Sequence, residues 1–183
     1  TANVKMGINP FDEIALEEAV RIKEKNPETT VISITIGKHT VQDVLRSSLA
    51  FGADRSILVE TDLDLGPLQI AKVLCNIAES EEPDLILMGK QAIDDDCNQT
   101  GQMLAGILGW PQATFISEID LQDKDVFLKR EVDSGVEELK TTLPCVVTVD
   151  LRLNNPRFIS LPNIIKAKKK EIKVIDAKEL NIN

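Results

Sequence analysis

Apolar residues recur along the first 110 residues in two alternating patterns. Short stretches at 31–36, 56–59 and 85–88 are rich in apolar and β-branched residues, as expected of strands that are buried on both faces. Around them, apolar residues return every three or four positions, which predicts helices at 10–25, 40–51, 66–79 and 100–108. This alternation indicates a parallel sheet that is covered by helices on both faces.

After Trp110 the pattern changes to closely spaced strands that are separated by turn residues. These strands are predicted at 113–121, 126–132, 136–141 and 145–151. We therefore expect a doubly wound α/β fold, with a mostly parallel sheet, helices on both faces and a β-rich C-terminal addition. One α/β domain is expected over residues 1–153. A turn at 154–156 then leads into an irregular basic stretch to about residue 170, and this segment with the C-terminus spans residues 154–183.

The composition supports one folded domain and limits the classes of partner that the chain could bind. Hydrophobic residues make up 43% of the 183 residues, which is enough for a core. No apolar run approaches the roughly 18 residues of a membrane helix, and no signal peptide is recognisable, so we expect no direct membrane insertion. The net charge of −9 argues against nucleic acid as a partner, because its phosphates repel an acidic surface. Six lysines against three acids over residues 164–183 form a basic end, which suits a solvated tail or an acidic partner.

Few side chains in the sequence could carry out nucleophilic or metal chemistry. Cys75, Cys97 and Cys145 are far apart and form no C-x-x-C pair, so we expect free thiols in a reducing compartment. His39 is the only histidine, which excludes His-rich metal sites and leaves no recognisable catalytic triad. Its position between a predicted strand and a predicted helix favours a helix start over a catalytic base.

The candidate binding site is the long polar loop between the strand at 85–88 and the helix at 100–108. Ligands of open parallel sheets bind beyond the carboxyl ends of strands, where free N–H groups at a helix start attract phosphate. Thr100 adds a hydroxyl there. The loop contains no dinucleotide or Walker motif, and it departs from a calcium loop at two required positions. Spacing alone leaves open a nucleotide site and a solvated loop with Asp96 or Asn98 as helix cap.

Two further segments stand out. Asn9 and Pro10 predict the start of the first helix, with Asn9 as its N-cap. Residues 161–170 place three large apolar side chains beside a lysine cluster. This segment is either an apolar plug that folds back on the body or an exposed docking loop, and its prolines argue against a continuous helix.

Several ordered motifs together resemble the electron-transfer flavoprotein beta subunit of the non-bifurcating group, mitochondrial or bacterial. They are DDDCNQTGQM at 94–103, NPF at 9–11, FGADR at 51–55, DLRL at 150–153 and the basic run at 161–170. The resemblance extends from about residue 5 to about residue 180. It implies a heterodimer with an alpha subunit, which holds most of the FAD, and a structural AMP in the beta subunit.

The resemblance also implies site residues. The AMP-binding positions are Asn9, Pro10, Phe11, Asp12, Ile36 through its backbone, Gly89, Lys90, Gln91, Ala92, Ile93, Asp94, Asp95, Asp96, Cys97, Asn98, Gln99 and Thr100. Phe11 is also implied near the flavin ring, and Glu131 faces the mobile flavin domain. Leu161 matches the anchor of the loop that recognises acyl-CoA dehydrogenases. The remaining partner positions are Pro162, Asn163, Ile164, Ile165, Lys166, Lys168, Lys169 and Lys170.

The implied function is electron transfer without bond chemistry, so we expect an electron carrier and not an enzyme. It would pass electrons from acyl-CoA and other dehydrogenases to a membrane quinone oxidoreductase, in the mitochondrial matrix or, if bacterial, the cytoplasm. Two alternatives remain, a stand-alone adenine-nucleotide-binding module and a docking scaffold with a vestigial nucleotide site. Asp12 stands where the family often has Cys. Because the usual N-terminal strand and C-terminal arm are missing, we expect a fragment or a variant with weakened binding.

Overall fold

The computed structural model describes residues 6–180. The first five residues of the predicted domain (1–5) and the last three of the predicted C-terminal segment (181–183) lie outside the described residues. Within the described range, helices and strands alternate and then give way to a β-rich part. The elements are α1 (Pro10–Lys25), β1 (Ile32–Gly37), α2 (Gln42–Phe51), β2 (Arg55–Glu60), α3 (Pro67–Glu81), β3 (Leu85–Gly89), α4 (Thr100–Leu108), β4 (Gln112–Gln122), β5 (Asp125–Val132), β6 (Gly135–Thr142), β7 (Cys145–Val149), α5 (Leu161–Ala167) and β8 (Ile172–Asp176).

The strands form two sheets. Sheet A has the order β1-β2-β8 and is parallel throughout. Sheet B has the order β3-β7-β4-β5-β6, in which β3, β7 and β4 run parallel and β5 and β6 add an antiparallel meander. The expected α/β fold with a β-rich addition is confirmed, with the strands divided between two sheets. The β-rich addition consists of β4 to β7. It extends sheet B, because β7 pairs with β3 and β4 pairs with β7.

Helices cover both faces of each sheet, as the sequence predicts. In sheet B, Ile14 and Ala15 of α1 pack with Val147 on one face, while α3 and α4 pack on the other. In sheet A, α2 packs with β8 and α5, and α3 covers the opposite face through Val73 and Ile77. Helix α3 therefore contributes to the cores of both sheets. The inner strands β2 and β7 are buried, whereas β1 and β3 are half-buried.

The segment after β7 contains a helix, so the irregular stretch predicted up to about residue 170 is wrong for residues 161–167. Leu161–Ala167 form α5, because Pro162 lies in the first turn, where a missing N–H costs no helical hydrogen bond. Ser160 caps this helix by accepting a hydrogen bond from the Asn163 N–H at 3.4 Å. Ile172–Asp176 then form β8, which pairs with β2.

A buried carboxylate ties the start of this segment to α1. Glu17 is 2% exposed and accepts hydrogen bonds from the Arg157 side chain at 2.8 and 3.1 Å, from the Arg157 N–H at 3.1 Å and from Arg21 at 2.6 Å. Burial alone raises the pKa of Glu17, but the hydrogen bonds from Arg157 and Arg21 outweigh it and hold that pKa below its usual value. Asn154 adds a hydrogen bond to the Ile14 carbonyl at 3.1 Å.

Candidate functional site

The predicted loop leaves β3 at the point where α1 begins. Gly89 lies opposite Val149 at the adjoining ends of β3 and β7, and the Lys90 N–H donates to the Val149 carbonyl at 3.1 Å. A Cβ on Gly89 would lie 2.6 Å from Phe11 Cβ and 2.8 Å from the Asp12 nitrogen. The chain at Gly89 therefore lies directly against the first turn of α1.

Asn9 and Asp12 fasten the loop to α1. Asn9 is the N-cap residue of α1, as predicted, but its side chain makes no capping hydrogen bond. Its amide instead donates to the Gln91 carbonyl at 2.9 Å and accepts from the Ile93 N–H at 3.1 Å, which satisfies two loop groups. Asp12 accepts from the Gly89 N–H at 2.7 Å and from Asn9 at 2.8 Å. These contacts bring together five of the predicted binding residues.

Asp12 is a carboxyl group in a poorly solvated place. Burial raises its pKa, and the hydrogen bonds from Gly89 and Asn9 offset only part of that effect. The neutral form of Asp12 is thus favoured more than in water.

A lysine lies between two aromatic rings at the same edge. The Lys90 Nζ is 5.0 Å from the centre of the Phe11 ring, 5.5 Å from that of Phe115 and 2.8 Å from Asp150 Oδ2. Phe115 has a φ of +60°, an unusual conformation for a bulky residue, and its N–H donates to Thr148 Oγ1 at 3.2 Å. Sequence analysis missed Phe115, because it falls inside an ordinary strand pattern.

The acidic run in the middle of the loop turns on itself. Asp95 accepts from the Cys97 N–H at 3.0 Å, and Asp96 accepts from the Gln91 side chain at 2.7 Å. Residues 93–97 are exposed, including Cys97, whereas Cys75 and Cys145 are buried. Burial raises the pKa of Cys145 to about 11. Cys97 is thus the one thiol of the chain that reagents reach, and it lies inside the predicted site.

The start of α4 leaves polar groups free. Gln99 holds the N-cap position without a capping side-chain hydrogen bond, so the first N–H groups of the helix lack a side-chain acceptor. Gln102 donates to Asn98 at 3.1 Å, but its Oε1 is buried without a partner. A ligand that offers both acceptor oxygens and donor groups would satisfy these atoms, and a nucleotide does. The residues present therefore fit the implied AMP.

Ile36 is placed apart from this group. It lies in β1 of sheet A, opposite Val59 of β2, whereas Gly89 ends a strand of sheet B. Pro10 opens α1 beside the loop, and Ala92 accepts a hydrogen bond from the Asp96 N–H at 2.9 Å within it.

The partner segment is a short amphipathic helix whose apolar side faces outward. Leu161, Ile164 and Ile165 are exposed, so the apolar plug is ruled out. Phe158, three residues before α5, is also fully exposed, and sequence analysis did not single it out. Lys166, Lys168 and Lys169 are exposed beside them. We call this set, with Phe158, Leu161, Ile164 and Ile165 as its apolar members, the α5 surface.

The end of α5 is fixed by hydrogen bonds to its carbonyl groups. Arg46 donates to the Ala167 carbonyl at 3.0 Å and also to that of Lys170. Lys170 itself donates to the Ala53 carbonyl at 2.6 Å, so it is engaged within the chain. The predicted partner residue Glu131 lies elsewhere, on the β5–β6 hairpin, where its Oε2 is 3.3 Å from Arg152 Nε.

Between residues 6 and 180, no helix has the length and apolar character needed to cross a membrane. Within the same residues, no group of three or more His, Cys, Asp or Glu side chains could hold a metal ion.

Comparison with known proteins gives consistent matches over the whole chain. Residues 1–180 match the model of the electron transfer flavoprotein domain. The chain is 54% identical to the electron transfer flavoprotein subunit beta of Dictyostelium discoideum over 183 residues, which is all of this chain and 73% of that protein.

Plant and bacterial proteins match equally well. The mitochondrial electron transfer flavoprotein subunit beta of Arabidopsis thaliana is 57% identical over 185 residues, which is all of this chain and 74% of that protein. That of Bradyrhizobium diazoefficiens is 56% identical over 171 residues, 93% of this chain and 69% of the bacterial protein. The chain therefore belongs to the family of electron transfer flavoprotein beta subunits, which are electron carriers and not enzymes.

Proposed function

We propose that the chain pairs with an alpha subunit and that the heterodimer carries electrons from acyl-CoA and other dehydrogenases to a membrane quinone oxidoreductase. The observation that carries this proposal is the α5 surface, where apolar side chains are exposed to solvent on a fixed helix with exposed lysines at its C-terminal end. Exposed apolar residues with a charged rim are typical of partner docking. This electron transfer takes place in the mitochondrial matrix, or in the cytoplasm of a bacterium.

The proposed AMP lies in the loop between β3 and α4 and has a structural role. Free N–H groups at the start of α4 bind its phosphate, and the buried Oε1 of Gln102 accepts a hydrogen bond from one of its hydroxyl or amino groups. Asn9 and Asp12 hold the loop in shape for it. FAD, when bound mainly by the alpha subunit, supplies the group that takes up and releases electrons. On this chain, Phe11 would lie near its ring, as the family resemblance implies.

The AMP proposal is tested by identifying the nucleotide that the heterodimer releases on denaturation, with mass spectrometry. We expect about one AMP per heterodimer. As a second measurement, alkylation of Cys97 should slow when AMP is added to nucleotide-free protein, while the buried Cys75 and Cys145 stay unmodified in both samples. Release of FAD without AMP would contradict the bound AMP, and an unchanged rate at Cys97 with AMP bound would place the AMP elsewhere.

The docking role predicts a specific loss at Leu161. Replacing this exposed leucine with alanine should weaken binding to an acyl-CoA dehydrogenase by about 30-fold or more, because a buried anchor contributes about 2 kcal/mol or more to an interface. The thermal stability of the chain should not change, because Leu161 is 69% exposed in the free protein. Binding is measured by titration calorimetry.

Leu63 provides the matched control, because it is a leucine with 73% exposure in the loop between β2 and α3, away from α5. Leu63→Ala should leave dehydrogenase binding unchanged. Equal losses in the two variants, or none at Leu161, would argue against the α5 surface as the docking site.

A further inference from the structure

The DLRL segment at 150–153 follows β7, and none of the roles above uses it. Asp150 is 8% exposed, and its Oδ1 accepts from the Arg152 N–H at 3.2 Å. The Leu153 N–H also donates to the Asp150 carbonyl at 3.2 Å. The Asp150 N–H donates in turn to the Ile116 carbonyl of β4 at 3.0 Å. The segment is therefore a tight turn, whose shape depends on the Asp150 side chain.

Arg152 extends from this turn between two carboxylates. Its Nε is 3.3 Å from Glu131 Oε2 on the β5–β6 hairpin, and its Nη1 is 3.6 Å from Asp150 Oδ1. The other oxygen of Asp150 accepts from Lys90 Nζ at 2.8 Å. Four charges of alternating sign thus connect the nucleotide loop at Lys90 with the hairpin at Glu131.

The pair of Lys90 and Asp150 is better shielded from solvent than the pair of Arg152 and Glu131. Burial alone raises the pKa of Asp150, but the hydrogen bonds from Lys90 and from the Arg152 N–H hold that pKa below its usual value. The outer pair is open to solvent, since the Arg152 and Glu131 side chains are 60% and 48% exposed. Exposed pairs of this kind add little to the stability of a protein, so holding the chain together does not explain Arg152.

Holding the Glu131 carboxylate in one orientation is a role that does explain Arg152. A glutamate on a hairpin samples many rotamers, and a partner that binds it must first restrict them. An arginine that already holds the carboxylate in one position lowers this cost of binding, provided that the arginine is itself held in place. Asp150 and Lys90 fix Arg152 from the side of the loop.

We propose that Arg152 is a positioning residue that presents Glu131 to the flavin-carrying domain of the alpha subunit, with Asp150 and Lys90 fixing Arg152. This inference rests on the proposed function, and it takes Glu131 as the contact for that domain, a role that the family resemblance implies. In this role Arg152 acts only through Glu131.

The test uses the full-length heterodimer loaded with FAD, with its reduction by an acyl-CoA dehydrogenase followed in the steady state. Glu131→Gln should change kcat by roughly three- to tenfold, the range typical of coupling between charged residues in contact. Arg152→Gln should change kcat in the same direction, with KM unaltered, because docking at the α5 surface is untouched. The double variant should behave like Glu131→Gln alone, and Arg152→Lys, which keeps the charge, should recover part of the effect.

Lys129→Gln is the control, because Lys129 lies on the same hairpin and forms an exposed ion pair with Glu118 at 3.0 Å. It should leave kcat and KM unchanged. A normal kcat for Arg152→Gln, or effects of Arg152→Gln and Glu131→Gln that simply multiply, would overturn the inference. A change in KM alone would make Arg152 a dehydrogenase contact and would overturn it as well. A wild-type heterodimer that the dehydrogenase does not reduce would instead contradict the proposed function.

Discussion

Gly89→Ala is expected to destabilise the chain by about 3 kcal/mol or more, at the upper end of the usual cost of overpacking. The added Cβ would lie 2.6 Å from Phe11 Cβ and 2.8 Å from two backbone atoms, the Asp12 nitrogen and the Phe11 carbonyl carbon. Backbone atoms of a helix cannot rotate away as a side chain does. Helix α1 must then shift from β3, which breaks the hydrogen bond from the Gly89 N–H to Asp12.

Thermal unfolding followed by circular dichroism measures the loss, and we expect a midpoint lower by about 6–12 °C for a chain of this size. AMP binding should be lost with it, because Asn9 and Asp12 no longer hold the loop. Gly106→Ala is the matched control in α4, where an added Cβ meets no atom within 4 Å. It should raise stability by up to about 1 kcal/mol, the difference in helix propensity. A Gly89→Ala variant as stable as wild type would show that the contact between α1 and β3 is loose.

Arg157→Met is expected to cost about 3 kcal/mol, because it leaves the buried Glu17 with only Arg21 and one backbone N–H as partners. Breaking one side of a buried ion pair leaves a charge that water cannot reach. The same substitution loosens the segment that leads to α5. Urea unfolding at pH 7 measures the free-energy difference. Lys140→Met removes an exposed pair with Asp125 and should cost less than about 1 kcal/mol.

The pH dependence of this difference has a defined sign. The folded-state pKa of Glu17 lies below its usual value, so its ion pair contributes stability above the unfolded pKa of about 4.3. That contribution is lost as the pH falls through the lower folded-state pKa. The gap between wild type and Arg157→Met should therefore narrow in acid below about pH 4. A gap that stays constant down to pH 3 would show that Arg157 acts through packing and not through its charge.

Local patterns predicted the helices and most strands well, because each pattern is complete within its own segment. The predicted helix at 100–108 matches α4, and the predicted strand at 85–88 matches β3 with one added residue. The segment after residue 154 was harder to predict. Pro162 argues against a helix unless it falls in the first turn, and β8 is stabilised by pairing with β2, more than 100 residues earlier. Such pairing leaves no mark in a local window.

The location of the candidate site could be predicted from the sequence, whereas most of its side-chain contacts could not. The strand–loop–helix order locates the loop, since parallel sheets bind ligands at that edge. The two loop groups that the Asn9 side chain binds are 82 and 84 residues away in sequence, so only its helix-start signal was visible. Phe115 and Arg152 act through neighbours from other strands, and no spacing rule connects them with Lys90 or Glu131.

Helix α5 has a consequence for the timing of partner encounters. A helix of seven residues does not hold its shape alone in water, yet here Ser160 fixes its start and Arg46 its end. Docking then needs no folding step, so the association rate follows diffusion and the attraction of the lysines, and it falls as salt is added. The apolar members of the α5 surface instead set the lifetime of the complex. In the proposed docking role, different parts of one short helix thus set how fast a dehydrogenase binds and how long it stays bound.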